Sequence, residues 1–546
     1  MRLRDYQVAT VDAIFKEWEE NQSTLAVLPT GCGKTQIFCE VIRRVQPRRA
    51  LVIAHREELI FQAAKRIESI GVGAEIEMAD QRASVNLWTR APAVVSTVQT
   101  QCAGGNGGRM TLFKPEDFGV LIIDEGHHAT ASSYRRVMAY YGQNPELKIL
   151  GVTATPDRAD EEALGQVFQS VAFDYEILDA IKDGWLVPIE QKMIEIEGLD
   201  FSAIRTTAGD LNGGDLAAVM EAEQNLHGVA SATLDIVGQK KTLVFTASVK
   251  QAEMLSEIFN RHKPGASDWI CGETPKDARR ERLEQFSTGQ TQFMVNCGVL
   301  TEGFDAVGIE VVVMARPTKS RALYSQMVGR ATRPLPGVVD GPPTPEMRRM
   351  AMAASAKPSC LVVDFSGNTG RHKLMTTADI LGGKFEDEVI ERAKKVAEKA
   401  GKPVNMAEVL EEEKEKARLE AEERRRAEAA RRAHLIGKAK FSARTVNPFD
   451  AFDLDPERAR GWNNNKTLSD KQTALLLRQG IDPSGMPYGQ AKQVLNELFR
   501  RWNSNLATLK QCSLLKKYGY ETKNLTMQEA SALIDGLAQN GWRRAA

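Results

Sequence analysis

From Thr24 to Phe365 the chain alternates short, wholly apolar runs with stretches of helical periodicity. The first set includes Thr24-Leu25-Ala26-Val27-Leu28, Ala50-Leu51-Val52-Ile53-Ala54, Val120-Leu121-Ile122-Ile123 and Ile149-Leu150-Gly151-Val152. A second set follows with Thr242-Leu243-Val244-Phe245, Phe293-Met294-Val295-Asn296, Val311-Val312-Val313-Met314 and Leu361-Val362-Val363. Strands that are apolar on both sides and followed by helices belong to parallel sheets covered on both faces. The pattern therefore predicts an α/β chain with two parallel-sheet domains in tandem, 1–185 and 186–375, joined near Asp183 to Gln191. The stretch Gly198 to Gly228 reads as an irregular insertion in the second domain.

The pattern changes after Gly382. Glu408 to His434 is almost entirely Glu, Lys, Arg and Ala, too polar for a packed heptad seam, so 376–436 reads as a charged helical spacer held by i,i+4 pairs. A linker, 437–466, carries Asn447-Pro448 and Asn463-Asn464-Asn465. The last part, 467–546, is an internal repeat, 467–502 and 506–542. Lys471-Gln472 with the pair Leu475-Leu476, then Gly480, then Gln490-Ala491 and Val494-Leu495, returns as Lys510-Gln511, Leu514-Leu515, Gly519, Glu529-Ala530 and Leu533-Ile534. Each copy predicts two short helices, the second starting near Pro487 or Thr526. The parts from Gly382 onward form a helical C-terminal extension.

Composition adds exclusions. The 546 residues carry 72 Lys plus Arg and 72 Asp plus Glu, so the chain is not a uniformly basic nucleic-acid coat. From His434 onward, however, about seven more basic than acidic groups accumulate, which allows nucleic-acid binding there as readily as protein docking. No apolar run reaches the ~18 residues of a membrane helix, and the first residues lack the apolar core of a signal peptide. The seven cysteines form no C-x-x-C pair, which argues against a zinc ribbon or a disulfide scaffold. A cytoplasmic protein without membrane or zinc is expected.

Two motifs carry chemistry. Leu28-Pro29-Thr30-Gly31-Cys32-Gly33-Lys34-Thr35 follows an apolar strand and opens a helical pattern, the context of a loop that cradles phosphate. Thr30, Gly31, Cys32 and Gly33 would offer backbone N–H groups, Lys34 would neutralise the β- and γ-phosphates of ATP, and the Thr35 hydroxyl would ligate Mg2+. Leu28 stands where the full pattern has its first glycine. The second motif, Asp124-Glu125-Gly126-His127, ends a buried strand. Asp124 is placed to hold Mg2+, mostly through water, and Glu125 to orient or deprotonate the attacking water. His127 reads as a relay towards the substrate and His128 as a packed or exposed loop histidine.

With these residues the chain resembles the superfamily 2 helicases and translocases over roughly Leu3 to His372. The resemblance implies that both sheet domains are RecA-like. Asp124-Glu125-Gly126-His127 is similar to motif II, with Gly126 where Ala or Cys is usual. Arg4-Asp5-Tyr6-Gln7 is similar to the adenine-recognising segment, which implies that Gln7 hydrogen-bonds the base and that Tyr6 or Arg4 flanks it. Ala54-His55-Arg56-Glu57-Glu58-Leu59 and Ser96-Thr97-Val98-Gln99-Thr100 resemble strand-contact motifs, implicating Arg56, Thr97 and Gln99. Thr153-Ala154-Thr155-Pro156 resembles motif III, where Thr153 and Thr155 would couple hydrolysis to the strand. Thr246-Ala247-Ser248 resembles motif IV. Val299-Leu300-Thr301-Glu302-Gly303-Phe304-Asp305-Ala306 resembles motif V, implying that Thr301 contacts the strand and that Gly303 and Asp305 serve the nucleotide. Tyr324 to Pro334 resembles motif VI, with Gln326, Arg330 and Arg333 catalytic and the two arginines, three apart, acting as fingers.

Within the superfamily the chain looks most like RadD-type bacterial and phage DNA helicases, then XPB-type and restriction-enzyme translocases. It departs from RadD by lacking that group's cysteine-rich zinc segment. The resemblance implies an ATP- and Mg2+-dependent motor on DNA, without sequence preference and sensitive to salt. It further implies a bacterial or phage-encoded protein, nucleoid-associated when active, acting in repair, recombination or replication. Alternatives are the motor subunit of a restriction or defence complex, an RNA helicase, or a non-hydrolysing scaffold; the C-terminal repeat could recruit a protein partner.

Overall fold

The computed structural model describes residues 3–85, 90–104, 107–154, 158–207, 209–301, 308–369, 372–435, 447–456, 458–540 and 542. The first domain is a seven-stranded sheet of β1 (Ser23–Val27), β2 (Arg49–Ala54), β3 (Ala74–Glu77), β4 (Ala93–Thr97), β5 (Phe118–Asp124), β6 (Lys148–Thr153) and β7 (Ser170–Asp174). Its order is β3-β4-β2-β5-β6-β1-β7, and every pairing is parallel. All residues of β1, β2 and β4 are buried, as strands covered by helices on both faces require. The register sets Leu25 beside Gly151 and Ile122 beside Leu150, which brings the carboxyl ends of β1, β5 and β6 to one edge. Gly151 is required there: a Cβ on it would lie 2.5 Å from the Phe168 ring.

The second domain repeats the plan with β8 (Ile189–Asp200), β11 (Thr242–Thr246), β12 (Ser267–Ile270), β13 (Phe293–Asn296), β14 (Val311–Ala315) and β15 (Cys360–Asn368), a small hairpin of β9 (Thr206–Thr207) and β10 (Asp210–Leu211), and β16 (Val404–Asn405). The main sheet runs β12-β13-β11-β14-β15-β8-β16, parallel except for β16 at its edge. Both domains are thus built on parallel α/β sheets, as expected, and helices dominate the C-terminal part.

Three segments differ from the sequence expectation, the first being the linker 437–466: its described part holds the helix Pro448–Phe452, whose Ala451 and Phe452 lie in the C-terminal core, and a buried Trp462. The described residues of Gly198 to Gly228 form regular elements: after the hairpin come the helices Gly213–Met220 and Glu223–Val237. Phe201, Ile204, Leu211, Leu216 and Met220 enter the second-domain core. The Asn212 side chain caps the first of these helices by accepting from the Gly214 and Asp215 N–H groups, and the Asp210 carboxylate accepts from the Thr318 hydroxyl at 2.7 Å.

Nor is 376–436 uniformly a spacer. The helix Asp387–Lys399 buries Val389, Ile390, Ala393 and Ala397, β16 pairs with β8, and Met406 and Leu410 are fully covered. A single helix then spans Met406–Leu435, and its charged stretch has the expected i,i+4 pairs Glu420–Arg424 and Glu422–Arg426.

The C-terminal module has its own core. Its helices are Asp470–Arg478 and Tyr488–Asn503 in the first copy, and Leu509–Lys516 and Met527–Gln539 in the second. Equivalent positions do equivalent jobs: Ser469 and Thr508 form capping boxes with Gln472 and Gln511, and Gly480 and Gly519 turn at φ of 80° and 77°. Leu476 and Leu515, Ala491 and Ala530, and Leu498 and Leu537 are buried pairwise.

Candidate nucleotide and coupling site

The loop between β1 and the helix Lys34–Arg44 lies at the shared carboxyl edge. Leu28 occupies the first glycine position directly after β1, where its N–H still donates to the Thr153 carbonyl at 2.9 Å and its side chain is fully buried. Gly31 and Gly33 have φ of +93° and +71°, a region that side chains disfavour. A Cβ on Gly33 would also lie 2.6 Å from the Gln7 amide nitrogen. Gly33 caps the helix that begins at Lys34, and Thr35 is half-buried in its first turn. The Cys32 thiol is buried, which pushes it up to about 12 and keeps it an unreactive spacer.

The N-terminal segment supports this loop from beneath. The Tyr6 hydroxyl and the Gln7 amide both donate to the Cys32 carbonyl, at 2.9 and 3.1 Å, and Gln7 accepts from the Arg4 N–H. Tyr6 stacks on Tyr175 at 5.0 Å and is buried, so its faces are not free to flank a base. Arg4 remains half-exposed, over the Trp185 ring and paired with Asp340 at 2.9 Å. A cavity of about 670 Å³ opens beside this segment, lined by Leu3, Asp5, Val8, Gln36 and Glu40 among others.

Asp124 ends β5, and its carboxylate accepts from the Glu125 N–H at 3.0 Å. Glu125 has a left-handed backbone, φ 50° and ψ 57°, a strained state for a residue with a Cβ. Its carboxylate meets the Lys34 ammonium at 3.1 Å and lies 3.5 Å from His127 Nδ1, which in turn contacts the Thr153 hydroxyl at 3.1 Å. Gly126 packs on Gly151: a Cβ there would stand 3.3 Å from the Gly151 Cα and from Leu25, so the site is tight but not closed to alanine.

The second domain supplies the opposite wall. The helix Arg321–Val328 carries the buried Gln326 and ends at Gly329, which is seated against Thr30 so closely that a Cβ would lie 2.6 Å from the Thr30 Cβ. The Arg333 side chain reaches the same loop, 3.2 Å from where a Gly31 Cβ would be. Burial lowers its pKa, yet arginine keeps its charge. Arg330 is held differently: its guanidinium donates to the Thr301 carbonyl at 2.5 Å. Thr155, Gly303 and Asp305 lie outside the described residues.

The residues expected to touch a strand are not equally available. Gln99 is exposed and Arg56 half-buried. Thr97 is buried, its hydroxyl committed to capping the helix Val98–Cys102 through Thr100, and Thr301 is buried with its carbonyl on Arg330. Sequence reading missed the pairs Glu57–Lys276 and Glu58–Arg279, at 3.0 and 3.3 Å, which join the helix Glu57–Glu68 to the second-domain helix Lys276–Thr288. It also missed His55, whose ring neighbours emerge only in three dimensions; the doubled His127-His128 was the available signal.

Residues 1–158 match the family model described as type III restriction enzyme, res subunit, and residues 228–334 match that of the helicase conserved C-terminal domain. Together these matches support a superfamily 2 helicase. The putative ATP-dependent helicase IRC3 of Saccharomyces cerevisiae is 29% identical over 349 residues, 61% of this chain and 49% of that protein. The putative mitochondrial ATP-dependent helicase irc3 of Schizosaccharomyces pombe is 30% identical over 394 residues, covering 70% and 60%. The Escherichia coli type I restriction enzyme EcoAI endonuclease subunit is 25% identical over 366 residues, covering 60% and 44%. The chain spans about half the length of the curated relatives it matches. Among its described residues, no helix is long and apolar enough to cross a membrane.

Proposed function

We propose that the chain is a nucleic-acid-stimulated ATPase that translocates on or unwinds DNA, acting in the cytoplasm of a bacterium or in a phage-infected cell. The observation that supports this best is the seat of Gly329 on Thr30 with Arg333 against Gly31, because a triphosphate on that loop then meets charges from both domains. The donor set fits the ligands. Two left-handed glycines leave the loop backbone open to phosphate, and the Lys34–Glu125 pair marks a cation that phosphate would attract and a base that its arrival would release.

Lys34 exchanges Glu125 for the β- and γ-phosphates, and Glu125 then accepts the proton of the attacking water. The Thr35 hydroxyl and the Asp124 carboxylate would hold Mg2+, which would supply charge neutralisation at the phosphates. Arg330 leaves the Thr301 carbonyl and joins Arg333 at the γ-phosphate, with Gln326 beside the water. Since Thr301 lies in the segment that resembles a strand-contact motif, this exchange links nucleotide state to strand grip. Backbone contacts through Arg56 and Gln99 carry no base information. A role in repair, recombination or replication is the setting we infer. A second reading, the motor subunit of a restriction complex, is favoured by the match to the res subunit family and by the EcoAI relative.

ATP hydrolysis measured with single-stranded DNA, double-stranded DNA and RNA tests the proposal. Stimulation by DNA that is independent of sequence and weakens steeply with salt is expected. Stimulation by RNA alone would replace the DNA motor with an RNA one, and no hydrolysis under any condition would refute the motor.

A further inference from the structure

Three histidines from two separate segments form a continuous column between the strand-facing edge and the hydrolytic centre. Arg56 donates through Nε to His55 Nε2 at 3.2 Å. The His55 ring meets the His128 ring at 4.5 Å and 60°, and His128 meets His127 at 4.1 Å and 44°. His127 reaches both the Thr153 hydroxyl and the Glu125 carboxylate. We propose that His128, with His55, is a positioning residue that transmits strand binding at Arg56 to Glu125. The inference rests on the reading of the chain as a strand-stimulated ATPase.

Three features make His128 a transmitter and not filler. Its ring is confined on a further side by the buried Tyr134, stacked at 6.3 Å and 21°, so a push from His55 displaces it along the column. Close-packed rings pass on such a displacement because the interior has no slack to absorb it. Its backbone N–H donates to the Glu125 carbonyl at 3.0 Å, within the short helix Gly126–Thr130, so movement of His128 reaches Glu125 through the main chain as well. Glu125 has the left-handed backbone described above, a conformation that persists only where the surroundings hold it and that a small local change can release. His128 touches neither nucleotide nor strand; it sets the residue that does the chemistry.

The test uses the full chain, ATP with Mg2+ and a mixed-sequence single-stranded oligodeoxynucleotide. His128→Ala should keep unstimulated hydrolysis and oligonucleotide affinity within about twofold, whereas the fold-stimulation by the oligonucleotide drops by about fivefold or more. His128→Phe, which restores a ring, should recover most of that stimulation. His55→Ala should show the same selective loss, and the double variant His55→Ala/His128→Ala should be no worse than either alone, since both break one column. Equal loss of stimulated and unstimulated rates in His128→Ala and His55→Ala would make the histidines merely structural and overturn the proposal, as would full stimulation in both. Unstimulated hydrolysis in the unmodified protein that no nucleic acid enhances is a distinct result: it removes the motor reading itself, and the column's role with it.

Discussion

The Lys34 ammonium and the Glu125 carboxylate are bonded to each other at 3.1 Å, each largely buried. On the function proposed above, the cation that would meet phosphate and the base that would act on water neutralise one another until a nucleotide separates them. The two residues should therefore fail in different ways. Lys34→Ala is expected to lose both nucleotide affinity and hydrolysis, the latter by about a hundredfold or more. Glu125→Gln should lose hydrolysis to a similar extent yet bind ATP as tightly as the unmodified chain or a few-fold tighter, about 1 kcal/mol at most, because the competing carboxylate is gone. Equilibrium binding of a fluorescent ATP analogue beside phosphate release measures both. Weaker binding in Glu125→Gln would mean that the pair does not compete with the nucleotide.

Gly329 reports on the contact between the domains. Its backbone is right-handed, φ −58°, so alanine brings no conformational strain there. The cost is purely steric: the new methyl would lie 2.6 Å from the Thr30 Cβ and 2.9 Å from the Ser325 carbonyl. Gly329→Ala should force the arginine-bearing segment off the phosphate loop and lower kcat by about ten- to a hundredfold, with a smaller change in KM for ATP. A normal kcat would show that this seat is not used in the reaction.

What the sequence made legible follows from burial. Strands covered on both faces must be apolar throughout, so β1, β5, β11 and β14 stand out as runs, and the loops at their carboxyl ends can be named from them. The first glycine position of the loop after β1 can be Leu28 because the residue directly after that strand is still buried and bonded to the Thr153 carbonyl. Other features were hidden because their cause is not local. Tyr6 and Gln7 face the Cys32 carbonyl only once the helix Asp5–Glu20 lies under the loop. The apolar stripe Val389, Ile390, Ala393 and Ala397 is diluted by charged neighbours and reads as solvated until β16 closes on the sheet edge. His128 read as a packed or exposed loop histidine, and it is half-buried; that its ring neighbour is His55 depends on packing between distant segments.

Asp364 makes the second domain sensitive to pH. Its carboxylate accepts from the Tyr324 hydroxyl at 2.7 Å and from the Gln191 amide at 2.5 Å, behind the helix that leads to Gly329 and the arginines. Burial raises its pKa to about 6, against those hydrogen bonds and with some help from Asp379. A folded acid that holds its proton more tightly than the unfolded chain destabilises the fold when ionised. That penalty is complete above about pH 6 and is relieved as the pH falls towards 4. Asp364→Asn cannot ionise, so the stability of the unmodified chain relative to this variant should rise on going from pH 8 to pH 5, by on the order of 1–2 kcal/mol. Calorimetric melting of both proteins across that range checks the sign; a difference that is flat with pH would place the titration elsewhere.

The C-terminal repeat is joined by one guanidinium. Arg501, at the end of the helix Tyr488–Asn503, is almost fully buried and donates to the Glu497 carboxylate at 2.8 Å within its own copy. It also donates to the Ala507, Thr522 and Lys523 carbonyls at 2.9, 3.2 and 3.1 Å, all leading into or belonging to the second copy. A planar fork with five N–H groups can satisfy such a ring of acceptors, and an ammonium on a flexible stem cannot. Arg501→Ala should cost about 3–5 kcal/mol, since it leaves buried carbonyls without donors and weakens the neutralisation of Glu497. Arg501→Lys should recover only part of this. Hydrogen exchange on the full chain reads the effect: protection should fall together in the helices Tyr488–Asn503 and Leu509–Lys516, because neither copy's core is closed without the other. Loss confined to one copy would mean that each helical pair folds independently, and the repeat would then be two modules and not one.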